Sequence, residues 1–452
     1  MSKIVSKSRV RRHLAALLLP LALAACGGGG DAGSCSVAEQ KDWLSGYMND
    51  WYFWYRLSPH PDGAGYASVA SYYAALLYTG TSADFPADRW SYVQSTETFN
   101  RFFGDGATLG YGVSVAGLEL ARNSALPLYV RHVEAASPGQ VQGVRRGDQV
   151  MSINGRSAAS LIAADDFSAL TPAQAGDSVT LVLRRDGIDR NVVITAQVFN
   201  LVPIYGVDTQ TTAGGRRIGY VAVKDMISQA LPSYDIAMSS FQAAGVQDLV
   251  LDLRYNGGGL VSTGATLASY LAGSRGAGLN YASLLFNDRH ASSNVDFRFS
   301  SPSAALNLPR VFVLMGRRTC SASEQVINGL RGAGVQVVAI GETSCGKPVG
   351  FQPTPYCGQT YSAVNFESVN QRSEGRYFSG FAPTCAVAEN FTVPQGSTAD
   401  PLMVAARTWA DSGACPATGA GQSSPMAARG DGDVPRLRPV SEGDPRLGMI
   451  PR

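Results

Sequence analysis

Two serine hydroxyls and one lysine amine are the residues of this chain best placed to do chemistry. Thr319-Cys320-Ser321-Ala322-Ser323-Glu324 follows the apolar run Val311-Phe312-Val313-Leu314-Met315, and Gly346-Lys347 stands one helical and one apolar segment later. A serine hydroxyl is a weak nucleophile until a base takes its proton, and a neutral lysine is one such base. The apolar run reads as a buried strand, and Glu324 to Leu330 suits a helix with Val326, Ile327 and Leu330 on one face. A serine at a strand-to-helix turn lies beside free backbone N–H groups that can hold an oxyanion, although the same residues make an ordinary helix cap. The second apolar run, Val335 to Ile340, leads through Gly341 to Gly346 and brings Lys347 near the end of the first strand. These local features leave open whether Ser321 or Ser323 would attack.

A further turn could supply the missing oxyanion donors. Asp248 to Arg254 is a buried-strand pattern that runs into Tyr255-Asn256-Gly257-Gly258-Gly259, and a helix through Thr263 to Leu271 follows. The turn lacks the Walker Lys-[Ser/Thr] and does not match GxGxxG, so a phosphate-cradling role is unsupported. A histidine-based triad is poorly provided for. Past residue 25 the histidines are His60, His132 and His290, and only His290 shares the region of the serines, in the polar loop Asn287-Asp288-Arg289-His290 that reads as solvated surface. No Gly-x-Ser-x-Gly elbow surrounds Ser321.

The elements that must position these groups come from a long polypeptide. Its 452 residues allow two or three domains, and its net charge of +2 points to no nucleic-acid or acidic partner. No run beyond residue 25 is long and apolar enough to span a bilayer. Residues 1–25 read as a signal: Lys3, Lys7, Arg9, Arg11 and Arg12 precede the apolar stretch Leu14 to Ala25. Leu23-Ala24-Ala25-Cys26 resembles a bacterial lipobox, which implies lipidation at Cys26 and residues 26–35 as a flexible tether. Gly27 after the cysteine resembles outer-membrane sorting, so the expected location is the cell envelope, on a lipid anchor. Six cysteines remain, an even number that suits disulfides in an exported protein. Cys320, Cys345, Cys357 and Cys385 cluster around the serines and are expected to form two bridges there; no CxxC pair or nearby histidine supports a metal.

Residues 36–105 place Trp43, Met48, Trp51, Trp54 and Tyr55 at helical spacing and read as a small helical domain. Residues 106–200 turn to short strands, including Gln149 to Ile153 ahead of a tight Asn154-Gly155 turn. The segment Ser137-Pro138-Gly139-Gln140 through Gly147-Asp148-Gln149-Val150 to Asn154-Gly155 resembles the core of a PDZ domain. By that resemblance Leu109-Gly110-Tyr111-Gly112-Val113 is the carboxylate-binding loop, whose glycines free N–H groups for a peptide C-terminus. Residues 201–415 read as α/β, and residues 416–452, rich in Gly, Pro and Ser, as a disordered tail.

Asp252-Leu253-Arg254-Tyr255-Asn256-Gly257-Gly258-Gly259, Ser321-Ala322-Ser323-Glu324 and Gly346-Lys347, in this order with a PDZ segment before them, resemble the C-terminal processing peptidases. These are Ser–Lys serine proteases of the S41 type. The resemblance covers about residues 40 to 412 and implies a multidomain α+β protein: an N-terminal helical domain, a PDZ domain and a ClpP/crotonase-like α/β catalytic domain. It further implies Ser321 as nucleophile, Lys347 as general base, Gln352 as a supporting residue, and the amides of Gly258 (or Gly257) and Ala322 as the oxyanion hole. No cofactor is implied, and the partners are protein or peptide substrates held by their C-termini. The sequence departs from the family pattern in three places. Ser321 and Lys347 are one residue further apart than the family spacing, Gln352 follows Lys347 by five where many members have four, and Gly332 stands where some carry Asp. The rival readings are a peptide-binding lipoprotein that keeps the fold without turnover, and, disfavoured by export, a crotonase-like acyl-CoA enzyme.

Overall fold

Three parallel strands carry all the candidate chemistry at their C-terminal ends. The computed structural model describes residues 35–417 and 449–451, so Cys26, the signal and most of the tether lie outside the described residues. In the six-stranded central sheet the order is Ile204–Thr211, Arg217–Val223, Asp248–Asp252, Arg310–Met315, Gln336–Gly341 and Cys385–Ala386. The first pair is antiparallel and the rest are parallel. Parallel neighbours need a crossover, and the helices Leu231–Ala243, Val261–Ala272 and Ala322–Gly332 provide it. Their apolar residues share one core with Leu249, Leu251, Val311 and Val313 on one face of the sheet. The helix Pro401–Ser412 covers Val250, Phe312, Leu314 and Val338 on the other. Burial on both faces explains why these strands are unbroken apolar runs in sequence. Ligands of such sheets bind beyond the carboxyl ends of the strands. The glycine turn follows Asp252, Ser321 follows Met315, and Lys347 follows Gly341 at that edge.

The strands Val113–Val115, Leu128–Val133, Gln149–Ile153, Ser178–Arg185 and Ile188–Thr195 form a separate antiparallel sheet around Val130, Val150, Leu181, Leu183 and Ile194. Asn154 and Gly155 have φ of 48° and 77° and join Ile153 to Arg156 as a two-residue hairpin loop, as the Asn-Gly pair predicts.

The N-terminal helices Val37–Trp51 and Val69–Leu76 do not close a core of their own. Leu44, Tyr52, Trp54, Tyr72 and Trp90 bury against Phe351, Tyr361 and Val364, and the strand Tyr92–Ser95 pairs antiparallel with Gln359–Ser362. The aromatic stripe is a core stripe, as its spacing predicts, but Val349, Phe351, Tyr361, Ala363 and Val364, from far downstream, complete that core.

Two sequence expectations need correction here. Of the four clustered cysteines only Cys320 and Cys345 pair with each other; Cys357 is bonded to Cys35 and Cys385 to Cys415. One bridge therefore braces the candidate site, and the other two tie flanking segments to the catalytic region. Residues 416–452, expected to be a disordered tail, include Met449 and Ile450, both fully buried, with Ile450 in a parallel bridge to Leu260. Two large apolar side chains in a polar stretch are reason enough to seek burial. Among the described residues no helix is long and apolar enough to cross a membrane.

Candidate active site

Ser321 begins the helix Ala322–Gly332 at φ 61°, ψ −119°, a backbone conformation that a residue with a side chain rarely adopts. What holds it there is the carboxylate of Glu324. The Glu324 Oε2 accepts the Ser321 N–H (3.0 Å) and the Lys347 N–H (2.8 Å), and Oε1 accepts the Gly346 N–H (2.8 Å) and the Ser344 hydroxyl (2.5 Å). One buried carboxylate thus fixes the backbone of both candidate catalytic residues. The disulfide Cys320–Cys345 ties the same two loops one residue upstream of Ser321 and two upstream of Lys347. Burial pushes the Glu324 carboxyl above its ordinary range, opposed by the four hydrogen bonds that favour the anion. Cys320, Glu324 and Cys345 cluster closely enough to suggest a metal site. Both sulfurs are spent in the disulfide, so the set offers no thiolate ligands.

The two serines, indistinguishable by motif alone, differ sharply in surroundings. Ser323 Oγ donates to the Asn256 carbonyl at 3.0 Å and so stitches the helix to the glycine turn. Ser321 Oγ is buried and has no hydrogen-bond partner. A buried hydroxyl left unpaired costs about 1–3 kcal/mol, a cost that Ser323 avoids through its bond to Asn256. Of the two hydroxyls, that of Ser323 is engaged and that of Ser321 is not.

Lys347 is fully buried, and its Nζ lies 3.9 Å from the centre of the Phe351 ring. Phe351 thus stands at the offset of four from Lys347 where the family pattern expects Gln, and its ring meets the Lys347 amine. The side chain of Gln352 is exposed, and its N–H donates to Asn365 Oδ1 at 2.7 Å. The expected supporting role of Gln352 is corrected on this ground.

Gly258 and Gly259 are glycines for steric reasons. At φ 108°, a side chain on Gly258 would place its Cβ 2.9 Å from Ser321 Cβ and 3.0 Å from the Ala322 nitrogen; at Gly259 it would meet the Met226 carbonyl at 2.2 Å. The turn is thereby pressed against the Ser321–Ala322 backbone, as an oxyanion hole built from Gly257 or Gly258 and Ala322 requires. The Gly258 N–H, however, donates to Asn256 Oδ1 (2.8 Å), and its carbonyl accepts the Met226 N–H (3.2 Å). Gly258 is thus engaged in the state described, and its use as an oxyanion donor requires release from Asn256. Asn256 also binds the Val223 carbonyl through Nδ2 (2.9 Å). Neither Glu324 nor Asn256 is a site residue by sequence reading. The Ser-x-x-Glu spacing of a capping box is the one signal in the sequence that points to Glu324.

The PDZ region reaches this turn through Arg146. Its guanidinium donates to the Tyr255 hydroxyl (2.6 Å) and to Glu389 Oε1 (2.8 Å), and Arg131 stacks over the Tyr255 ring at 4.7 Å. Arg254, the residue before Tyr255, bonds Asp252 and Asp400. The carboxylate-loop candidates are less open. Leu109 and Gly110 pair with Val198 and Gln197, Tyr111 and Gly112 give their carbonyls to Gly139 and Glu134, and Val113 pairs with Val133. Val113–Val115 is the edge strand of its sheet, yet all three residues are buried. His290 is half-buried rather than solvated, stacked on Trp51 at 3.5 Å and 3.1 Å from Asp50.

Comparisons with known proteins agree with this architecture. Residues 39–92 match the peptidase S41 N-terminal domain, 106–184 the PDZ domain and 217–387 peptidase family S41. A carboxyl-terminal-processing protease of Picosynechococcus sp. is 25% identical over 213 residues, covering 47% of this chain and 48% of that protein. A chloroplastic C-terminal processing peptidase of Tetradesmus obliquus is 26% identical over 248 residues, 52% of this chain and 51% of that one. The chain spans about half the length of the curated relatives it matches. A crystal structure described as an S41 protease of Bacteroides fragilis superposes with a TM-score of 0.63 at 22% identity, over 81% of this chain and 96% of the other, and shares the fold. The chain therefore carries a peptidase S41 domain preceded by an S41 N-terminal domain and a PDZ domain, and is homologous to the carboxyl-terminal-processing proteases.

Proposed function

We propose that the protein is a serine endopeptidase of protein or peptide substrates, with Ser321 as nucleophile and Lys347 as general base. The observation that carries this reading is the single Glu324 carboxylate that holds the backbones of both residues while the Ser321 hydroxyl is left unpaired. In the reaction, neutral Lys347 takes the Ser321 proton as Oγ attacks the scissile carbonyl. The tetrahedral oxyanion collapses to an acyl-enzyme as Lys347 gives that proton to the departing amine, and water then releases the acyl group by the same steps. Backbone N–H groups at Gly257, Gly258 or Ala322 would hold the oxyanion once Gly258 leaves Asn256. Like its named relatives the protein would act near the C-termini of its substrates, captured at Leu109–Val113. The glycines of that loop and its place beside an edge strand support this, and capture needs the buried edge Val113–Val115 to be uncovered. The lipobox supports anchoring of Cys26 in the cell envelope, at the outer membrane.

Lys347→Ala and Ser321→Ala should each lower kcat on an unfolded protein substrate by ~10³-fold or more, with circular dichroism unchanged. Full activity in either variant refutes the assignment. The second reading, a peptide binder without turnover, draws on the engagement of the Gly258 N–H by Asn256. It would be upheld by peptide binding with no hydrolysis by the wild type.

A further inference from the structure

The segment Gly259–Val261 and the strand Val349–Phe351 hold a short peptide between them, and that peptide belongs to the same polypeptide. Ile450 N–H donates to the Gly259 carbonyl (3.0 Å), and Val261 N–H donates to the Ile450 carbonyl (2.7 Å). On the opposite wall Phe351 N–H donates to the Met449 carbonyl (2.9 Å). Residues 449 and 450 thus pair through the backbone with both walls, which is how a sheet edge takes up an extended peptide.

These walls adjoin the candidate active site. Gly259 follows Gly258, whose bare Cα faces Ser321, and the Phe351 ring carries the Lys347 ammonium or amine. Gly350 keeps the groove open, since a Cβ there would stand 2.6 Å from the Met449 carbonyl. The side chains of Met449 and Ile450 are both fully buried. Met449 enters the main core, and Ile450 fills a pocket of Phe99, Phe103, Phe199, Leu201, Ile227 and Leu260. That pocket draws on the segments just before and just after the PDZ region as well as on the catalytic one.

We infer that Met449–Pro451 is an in-cis ligand of this groove, a built-in competitor of substrate. The groove it reports takes extended peptides with two adjacent bulky apolar side chains. Competition with substrate rests on the proposed peptidase activity; the pairing itself does not. A ligand carried in cis competes at an effective concentration that dilution does not change, and outside peptide binds more weakly by the fraction of molecules left open.

The test uses full-length protein in a Ser321→Ala background, so that no turnover interferes. The probe is a fluorescent peptide copying residues 446–452, read by anisotropy. Adding Ile450→Asp to the protein should tighten probe binding by about 5-fold or more, at any protein concentration. A probe carrying the same Ile-to-Asp change should not bind. Ile450→Ala, a milder change, should shift affinity the same way by less, and it decides the matter if Ile450→Asp does not fold. Equal or weaker probe binding by the tail variants overturns the inference. Failure of the peptidase reading looks different: tighter binding by the variant with no hydrolysis by the wild type keeps the in-cis ligand and removes the enzyme. Hydrolysis without any change in binding does the reverse.

Discussion

Around Ser321 and Lys347, side chains hold the backbone; around Leu109–Val113, backbone holds backbone. In the first region one Glu324 carboxylate takes four donors, Asn256 and Ser323 cross-link the glycine turn, and a disulfide closes the loops. In the second, strand pairing and two main-chain bonds from Gly139 and Glu134 set the loop, and Gly112 is required because a Cβ would strike Ser137. A site fixed by single buried side chains loses geometry when one is changed, and a misplacement of about 1 Å can cost ~10²-fold in rate. A site fixed by a sheet is lost only with the sheet. Point changes should therefore hit the first region in kcat and the second in substrate capture.

The largest break in that contrast is expected at Glu324. Glu324→Gln puts an amide NH₂ against N–H donors, and kcat should fall ~10²-fold, with about 1–3 kcal/mol of stability lost. The pH dependence checks the cause. Burial raises this carboxyl in the folded state, so its contribution to stability is fully present below the ordinary carboxylate range and is lost as pH rises through the raised value. The melting-temperature advantage of wild type over Glu324→Gln should accordingly shrink from acid toward neutral pH. An advantage that grows with pH would contradict the desolvation account.

A smaller effect is expected from the disulfide. Cys320→Ser with Cys345→Ser should lower stability by about 3 kcal/mol, the chain-entropy value for a loop of this size, and kcat by ~10-fold. Because Glu324 still spans the two loops, activity should persist. Complete loss would show that the bridge, and not the carboxylate, sets the geometry. The smallest effect joins the two regions. Arg146→Ala removes the bonds to Tyr255 and Glu389, and should change kcat/KM by a few-fold on protein substrates through capture and turn position. Unchanged folding with a loss as large as that of Glu324→Gln would make the PDZ contact part of the centre.

Much of this is legible in the sequence because the deciding residues are local. Doubly buried strands are plain apolar runs, the Asn154-Gly155 hairpin needs only two residues, and the order of the three candidate segments is a linear fact. What stays hidden depends on distant partners. The Trp/Tyr stripe of the N-terminal helices shows that a core exists, but not that Phe351 and Tyr361 complete it. Cysteine parity shows bridges, but not that Cys357 reaches Cys35, 322 residues away. Glu324 reads as a helix-start residue, because the four donors it gathers come from separate segments. Gln352 stands one residue past Phe351 with its side chain exposed, and the polar composition around Met449-Ile450 masks two side chains that bury completely.

The central claim is that Ser321, and not Ser323, is the nucleophile, and peptide mapping after a fluorophosphonate probe tests it directly. Wild-type protein should carry the adduct on Ser321 alone, Ser323→Ala should still be labelled, and Ser321→Ala and Lys347→Ala should not. An adduct on Ser323, or labelling that survives Ser321→Ala, would contradict the account.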